Sequence, residues 1–162
     1  MLIIKSIRHI CAVLDKIFFI IVYGNGLVIG KNTTWRCGFR IMKSKTAKIN
    51  IGRECFFNND CTIDCTQEIV IGEGSIFGEN VKIYDHNHRF ADPNVSIKEQ
   101  GFSDGVVKIG KHCWIGSHVV ILKGANIGDN CVIGAGCVVS GTVPSGHIIS
   151  VKQDYNIEKI HA

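Results

Sequence analysis

No run of basic residues occurs anywhere in this chain of 162 residues. Its 18 Lys and Arg and 14 Asp and Glu read as scattered along the length, for a formal charge of +4. That pattern disfavours nucleic-acid binding and leaves a small anionic ligand compatible. An unbroken apolar run of the roughly twenty residues a membrane span requires is also lacking. The most apolar segment, residues 1–23, is interrupted by Asp15 and Lys16. It is followed by no small-residue cleavage site, so a cleavable signal is not expected. Proline is scarce, and the eight cysteines are enough for disulfides or zinc to be weighed against their positions.

What the chain does have is a period of six. From Ile109 an aliphatic residue restarts every sixth position, at Ile115, Ile121, Ile127, Ile133 and Val139, and Gly follows four of these six starts. The same phase runs through Ile71, Phe77 and Ile83, and through Ile51, Phe57 and Ile63, with a ragged beginning at Ile29. Short-period self-similarity marks a solenoid, whose coils bury a continuous core only by stacking. The first position of each hexad points inward. The fifth takes a smaller residue in the narrow interior: Thr33, Cys55, Cys61, Ser75, Val81, Cys113, Val119, Ala125, Cys131, Cys137 and Val143. Gly at the second position is expected to let the backbone turn each corner. The reading is an all-β solenoid, a parallel β-helix forming one domain.

Five cysteines fall at inward fifth positions, where thiols act as small buried hydrophobes. With no cleavable signal, this usage points to a reducing cytoplasm. Ahead of the repeat, Ile3, Ile7, Ile10, Leu14, Ile17 and Ile21 recur at intervals of three and four, the stripe of an amphipathic helix. The helix suits a cap over the open end of the solenoid or a contact with a neighbouring subunit. Residues 17–23 keep peripheral contact with a membrane surface as the alternative. The organisation expected is therefore a helix over 1–23, a β-helix over 24–150 and a tail over 151–162.

After Tyr84-Asp85-His86-Asn87-His88 the hexads stop for twenty residues, Arg89 to Lys108, and resume at Ile109. The insert is rich in turn formers and should leave the wall as an extended loop. Rigid solenoids carry function where the pattern breaks. Continuing the phase from Ile83 makes Asn87 the inward residue and sets His86 and His88 outside, at the root of the loop. A histidine there can exchange protons near neutral pH. No cysteine serves as a nucleophile, because the candidates point inward.

The stretch from Ile109 to Gly136, with its Trp-Ile-Gly-Ser and Ile-Gly-Ala-Gly segments, resembles the left-handed β-helix acetyltransferases of the galactoside and maltose type. Asp85-His86-Asn87-His88 followed by a loop holding Gln100-Gly101-Phe102 is more similar to the branch that acetylates capsular and exopolysaccharide sugars. The resemblance spans about residues 49–145. It implies an acetyl-CoA-dependent transferase, a homotrimer with its active sites between subunits, and acetyl-CoA lying along each cleft. It implies that His86 is the catalytic base and that Asn58 contacts the acceptor; His88 matches no role in the galactoside type, and Asp85 and His88 are expected at the acceptor from their place beside His86. Trp114, Ser117 and Ala135 fall on the segments that line the coenzyme channel. Past the last hexads the galactoside type carries a Lys and a Gly-x-Pro-Ala stretch; here Gly141 stands in place of that Lys, and Lys152 is the substitute contact for the nucleotide end. A hydroxyl acceptor rather than the amine of an amino sugar rests on the resemblance alone. Two rival readings are a zinc site through His112 and His118, which the spacing disfavours, and a non-catalytic trimeric assembly module, which the long loop beside two histidines argues against. No metal is expected.

Overall fold

A computed structural model of the chain describes residues 2–152 and Lys159, with the backbone alone for residues 2–9 and Cys11. The hexads form strands of two to four residues that stack in register into three parallel sheets of six, six and five strands. On the first face Ile29, Ile51, Ile71, Ile109, Ile127 and Val143 align. The second face aligns Trp35, Phe57, Phe77, Ile115, Ile133 and Ile149. Ile41, Ile63, Ile83, Ile121 and Val139 align on the third. The result is a left-handed parallel β-helix of about six turns. Apart from Ile29 and Ile149 at its two ends, these first-position side chains are buried, as are all eleven expected fifth-position residues.

Three details of the repeat differ from the sequence reading. Val143 aligns with Ile127 and so takes a first position, which leaves the hexad that starts at Val139 two residues short. The second-position glycines do not turn the corners. A Cβ on Gly52 would lie 2.5 Å from the amide nitrogen of Glu73, and one on Gly110 2.5 Å from the carbonyl carbon of Gly128. These glycines let successive coils approach. The left-handed backbone falls two residues later, at fourth positions such as Asn32, Asp60, Asn80, His112, His118 and Asn130, with φ from 54° to 61°. Asn, Asp and His are the side-chain-bearing residues enriched there. Nor are the inward thiols only fillers. Thr33, Cys55, Ser75, Cys113 and Cys131 each donate to the carbonyl of the second-position residue one coil on, Gly52, Gly72, Gly110, Gly128 and Pro144, at 2.7–3.2 Å. This ladder satisfies the turn carbonyls of the first corner, between the first and second faces.

Every departure from the six-residue period lies at one place, the corner between the third and first faces. The step there is ten residues from Ile41 to Ile51, eight from Ile63 to Ile71, twenty-six from Ile83 to Ile109, six from Ile121 to Ile127 and four from Val139 to Val143. The other two corners keep six residues in every described coil.

The helix Leu2–Tyr23 covers the open end beside the first coil. It reaches all three faces: Lys16 Nζ donates to the carbonyl of Gly30 at 2.9 Å, Trp35 Nε1 to Asp15 Oδ2 at 3.1 Å, and Tyr23 Oη to the carbonyl of Ile41 at 2.7 Å. Phe19 is buried against Trp35 and Phe39, at 6.0 and 6.2 Å between ring centroids. Below them Phe39, Phe57 and Phe77 form an internal column with spacings of 4.8 and 4.3 Å. The face that caps is thus Ala12, Lys16, Phe19 and Tyr23. The described part of the isoleucine stripe is not used: Ile10, Leu14, Ile17 and Ile21 are all exposed. The aromatic side chains at the mouth of the solenoid make the better match for the open end, and they select the opposite side of the helix.

Candidate functional site

In the first two coils the third-face strand continues for two residues past its first position, to Lys43 and Cys65, and in the third it ends at Tyr84, just before Asp85. Strand alternation then points Cys65 and Asp85 inward after Ile63 and Ile83. The inward residue at the break is therefore Asp85 and not Asn87, which is exposed. From Asp85 the chain leaves the wall. His86–His88 pair antiparallel with Phe102–Asp104, so the insert is a hairpin-based loop whose base is a two-stranded ribbon. The wall resumes with Val107.

Asp85 has no exposed surface. Its carboxylate accepts from the amides of Thr66 at 2.8 Å and Gln67 at 2.7 Å, and from the Cys65 thiol at 3.2 Å. Burial alone would raise its pKa, but these donors and His86 outweigh that and hold it below the ordinary carboxylate value. The same burial, with the neighbouring carboxylate, pushes the Cys65 thiol far up, so it stays a protonated donor. Asp85 was expected to touch the acceptor; enclosed in this way, it positions His86 instead.

His86 Nδ1 lies 3.1 Å from Asp85 Oδ1, and its side chain is 12% exposed. With an ionised carboxylate as partner, Nδ1 carries the proton and Nε2 keeps the lone pair. Phe102 packs edge-on against the ring at 4.8 Å. The loop is tied to the same cradle: the Thr66 hydroxyl sits 2.6 Å from Asp104 Oδ1 and 3.1 Å from Asp85 Oδ1, and the Gly105 amide donates to the carbonyl of Asp85 at 2.7 Å. Asp64, half-exposed nearby, has its pKa raised by burial, with His86 opposing and Asp85 adding to the rise. His88 is exposed and also packs against Phe102, at 4.6 Å. It borders a pocket of about 720 Å³ under the loop, together with Arg89, Gln100, Ser103 and Lys123. His86 itself does not line that pocket.

Because the carboxylate of Asp85 is favoured in the folded state, its stabilisation is fully present above about pH 4 and is lost as the pH falls through the depressed native value. Asp85→Asn would set an amide NH₂ against one of the two backbone donors, Thr66 at Oδ1 or Gln67 at Oδ2. The variant is expected to be about 2–4 kcal/mol less stable at neutral pH, with the gap to wild type narrowing below about pH 4. Urea unfolding at pH 7 and pH 3 measures both.

The other expected site residues fall elsewhere. Asn58, Ser117 and Ala135 follow second-face strands, at the corner between the second and third faces. Asn58 Oδ1 accepts from Arg36 Nη1 at 3.1 Å, Ser117 Oγ accepts from the Glu79 amide at 3.2 Å, and Ala135 is exposed. Trp114 is 56% exposed on the second face, and Lys152 is exposed near the C-terminal end. One chain thus brings together Asp85, His86 and His88, and separates them from the residues expected to hold the coenzyme. The sequence reading missed Cys65, Thr66 and Gln67. The two-residue excess between Ile63 and Ile71 was the signal that the wall is rebuilt beneath the break. Among the described residues no three His, Cys, Asp or Glu side chains gather as a metal site. His112 and His118 are corner residues, and Asn80 Nδ2 lies 2.9 Å from the His118 ring.

The bacterial transferase hexapeptide family (six repeats) matches residues 107–141. The galactoside O-acetyltransferase of Escherichia coli is 35% identical over 99 residues, covering 60% of this chain and 47% of that protein. A putative lipopolysaccharide biosynthesis O-acetyl transferase of the same species is 28% identical over 128 residues, covering 75% of this chain and 65% of that one. The crystal structure of a hexapeptide-repeat acetyltransferase from Vibrio cholerae superposes with a TM-score of 0.67 at 26% identity, over 75% of this chain and 66% of its own. The chain spans 47% and 65% of the length of these two Escherichia coli proteins. In its repeat, its fold and its sequence, the chain is similar to the hexapeptide-repeat acetyltransferases.

Proposed function

We propose that this protein is an acetyl-CoA-dependent O-acetyltransferase acting on a sugar hydroxyl in cell-surface polysaccharide biosynthesis, working as a homotrimer in the cytoplasm. The observation that carries the reading is the Asp85–His86 pair at the root of the loop, 3.1 Å apart with the carboxylate sealed from water. The relatives named as galactoside and lipopolysaccharide O-acetyltransferases supply the substrate class. A sugar hydroxyl is a poor nucleophile at neutral pH. His86 Nε2 takes its proton as the oxygen attacks the thioester carbonyl, and returns it to the sulfur as the C–S bond breaks. Asp85 fixes the ring and stabilises its charged form. A direct transfer of this kind needs no enzyme nucleophile.

The donor would run along the corner between the second and third faces, where Ser117 and Ala135 present small side chains and Trp114 an exposed ring. Lys152 is assigned to the nucleotide end. Because that corner and the His86 corner are separate on one chain, a complete site draws the two from different subunits, which is the reason for the trimer. Asn58 and His88 are assigned to the acceptor. Titration calorimetry with coenzyme A and acetyl-CoA tests the reading without knowledge of the sugar. Saturable binding near one site per chain is expected, and no heat at millimolar ligand with a folded protein overturns it.

A further inference from the structure

We infer that the outer side of the helix Leu2–Tyr23, with the first coil behind it, is a docking surface for an anionic lipid bilayer. The helix uses Ala12, Lys16, Phe19 and Tyr23 to close the solenoid, and it touches all three faces of the first coil. Its other side therefore points along the solenoid axis, away from the wall. That side is apolar over roughly 200° of the helix circumference. Leu14 is 60% exposed, Phe18 60% and Ile21 76%, and Ile10, Val13 and Ile17 lie with them. No helix among the described residues is long and apolar enough to cross a membrane, so this face can lie in the interface and not span it.

Charge selects the occupant. The basic residues that read as scattered are in fact partitioned. Residues 1–53 hold ten Lys and Arg against the single acidic residue Asp15, and the remaining 109 residues hold eight against thirteen. Lys31, Arg36, Arg40 and Lys45 are exposed on the first coil and Lys48 at the start of the second, at the end that carries the helix. Two copies meeting through this end would bring like charge against like charge. A bilayer with anionic headgroups meets both features at once: an apolar face to insert and a cationic ring to attract the surface.

Flotation of the full chain with vesicles of phosphatidylcholine, alone or mixed with phosphatidylglycerol, tests this. Binding to the mixed vesicles is expected to exceed binding to phosphatidylcholine by about tenfold and to weaken with salt. The triple variant Leu14→Ser, Ile17→Ser, Ile21→Ser changes only exposed positions. It should keep the wild-type melting transition and lose at least about tenfold in binding. Arg40→Glu with Lys45→Glu should remove the preference for the anionic vesicles. Absence of flotation by the folded wild type overturns the inference, as does binding that the triple variant leaves intact. A triple variant that breaks up the oligomer, from a wild type that ignores vesicles, would reassign this side to a second copy of the chain.

Discussion

His86→Ala is expected to lower turnover at saturating acceptor by about 10²–10⁴-fold, the usual contribution of a positioned general base. The ring is held at Nδ1 by a carboxylate that has no freedom of its own, because two backbone amides and a thiol fix Asp85 in place. The imidazole therefore loses little orientational entropy in reaching the reactive geometry. Stability should change little, since the side chain sits at the surface end of the cradle. Coenzyme binding should also be preserved, because the residues assigned to it lie on another corner. The measurement is kcat with acetyl-CoA and a sugar acceptor, alongside calorimetry and a melting curve. A variant that kept most of its turnover would show that the proton leaves by another route. One that lost turnover together with coenzyme binding would place His86 in the donor site.

Phe57→Ala is expected to cost about 3–5 kcal/mol of stability, a large part of what a domain of this size has. Phe57 is fully buried, and it links Phe39 on one side to Phe77 on the other, with the Phe77 ring stacked within 10° of parallel. Coils in a solenoid support only their neighbours, so a cavity here separates the capped first coil from the rest of the stack. Ile76→Ala, on the outward side of the next coil, is the control and should be nearly neutral. Denaturant unfolding followed by near-ultraviolet circular dichroism reads both the loss and its location. A cost below about 1 kcal/mol for Phe57→Ala would mean that the stack closes over the gap.

The fold was legible because the first hexad position must be apolar in every coil, a constraint no other local structure imposes at a spacing of six. Legibility failed wherever a second periodicity took over. At Asp85 the strand alternation of two overrode the hexad, and the inward residue moved from Asn87 to its neighbour two positions earlier. At Gly52 and Gly110 a glycine that the sequence suggests as a turn residue serves the approach of the next coil, a contact between residues far apart in the chain. In the helix, spacing identified a stripe, yet the partner decided which side would be buried. Ala12 and Phe19 fit the aromatic mouth of the solenoid, and Leu14 and Ile21 do not. His86 was found from its place beside the break. The cradle of Thr66 and Gln67 was not, because backbone amides leave no mark in a sequence.

Confinement of all irregular spacing to a single corner carries a consequence for how such a protein can diversify. Two corners keep a fixed pitch through most of the stack, so anything that reads them, a neighbouring chain or an extended ligand, meets the same geometry whatever happens at the third. Segments from four to twenty-six residues are already accommodated there between one coil and the next. Grafting a foreign loop between Asp85 and Val107 would therefore change what is presented beside His86 without altering the rise of the wall, and acceptor choice could be rewritten independently of assembly.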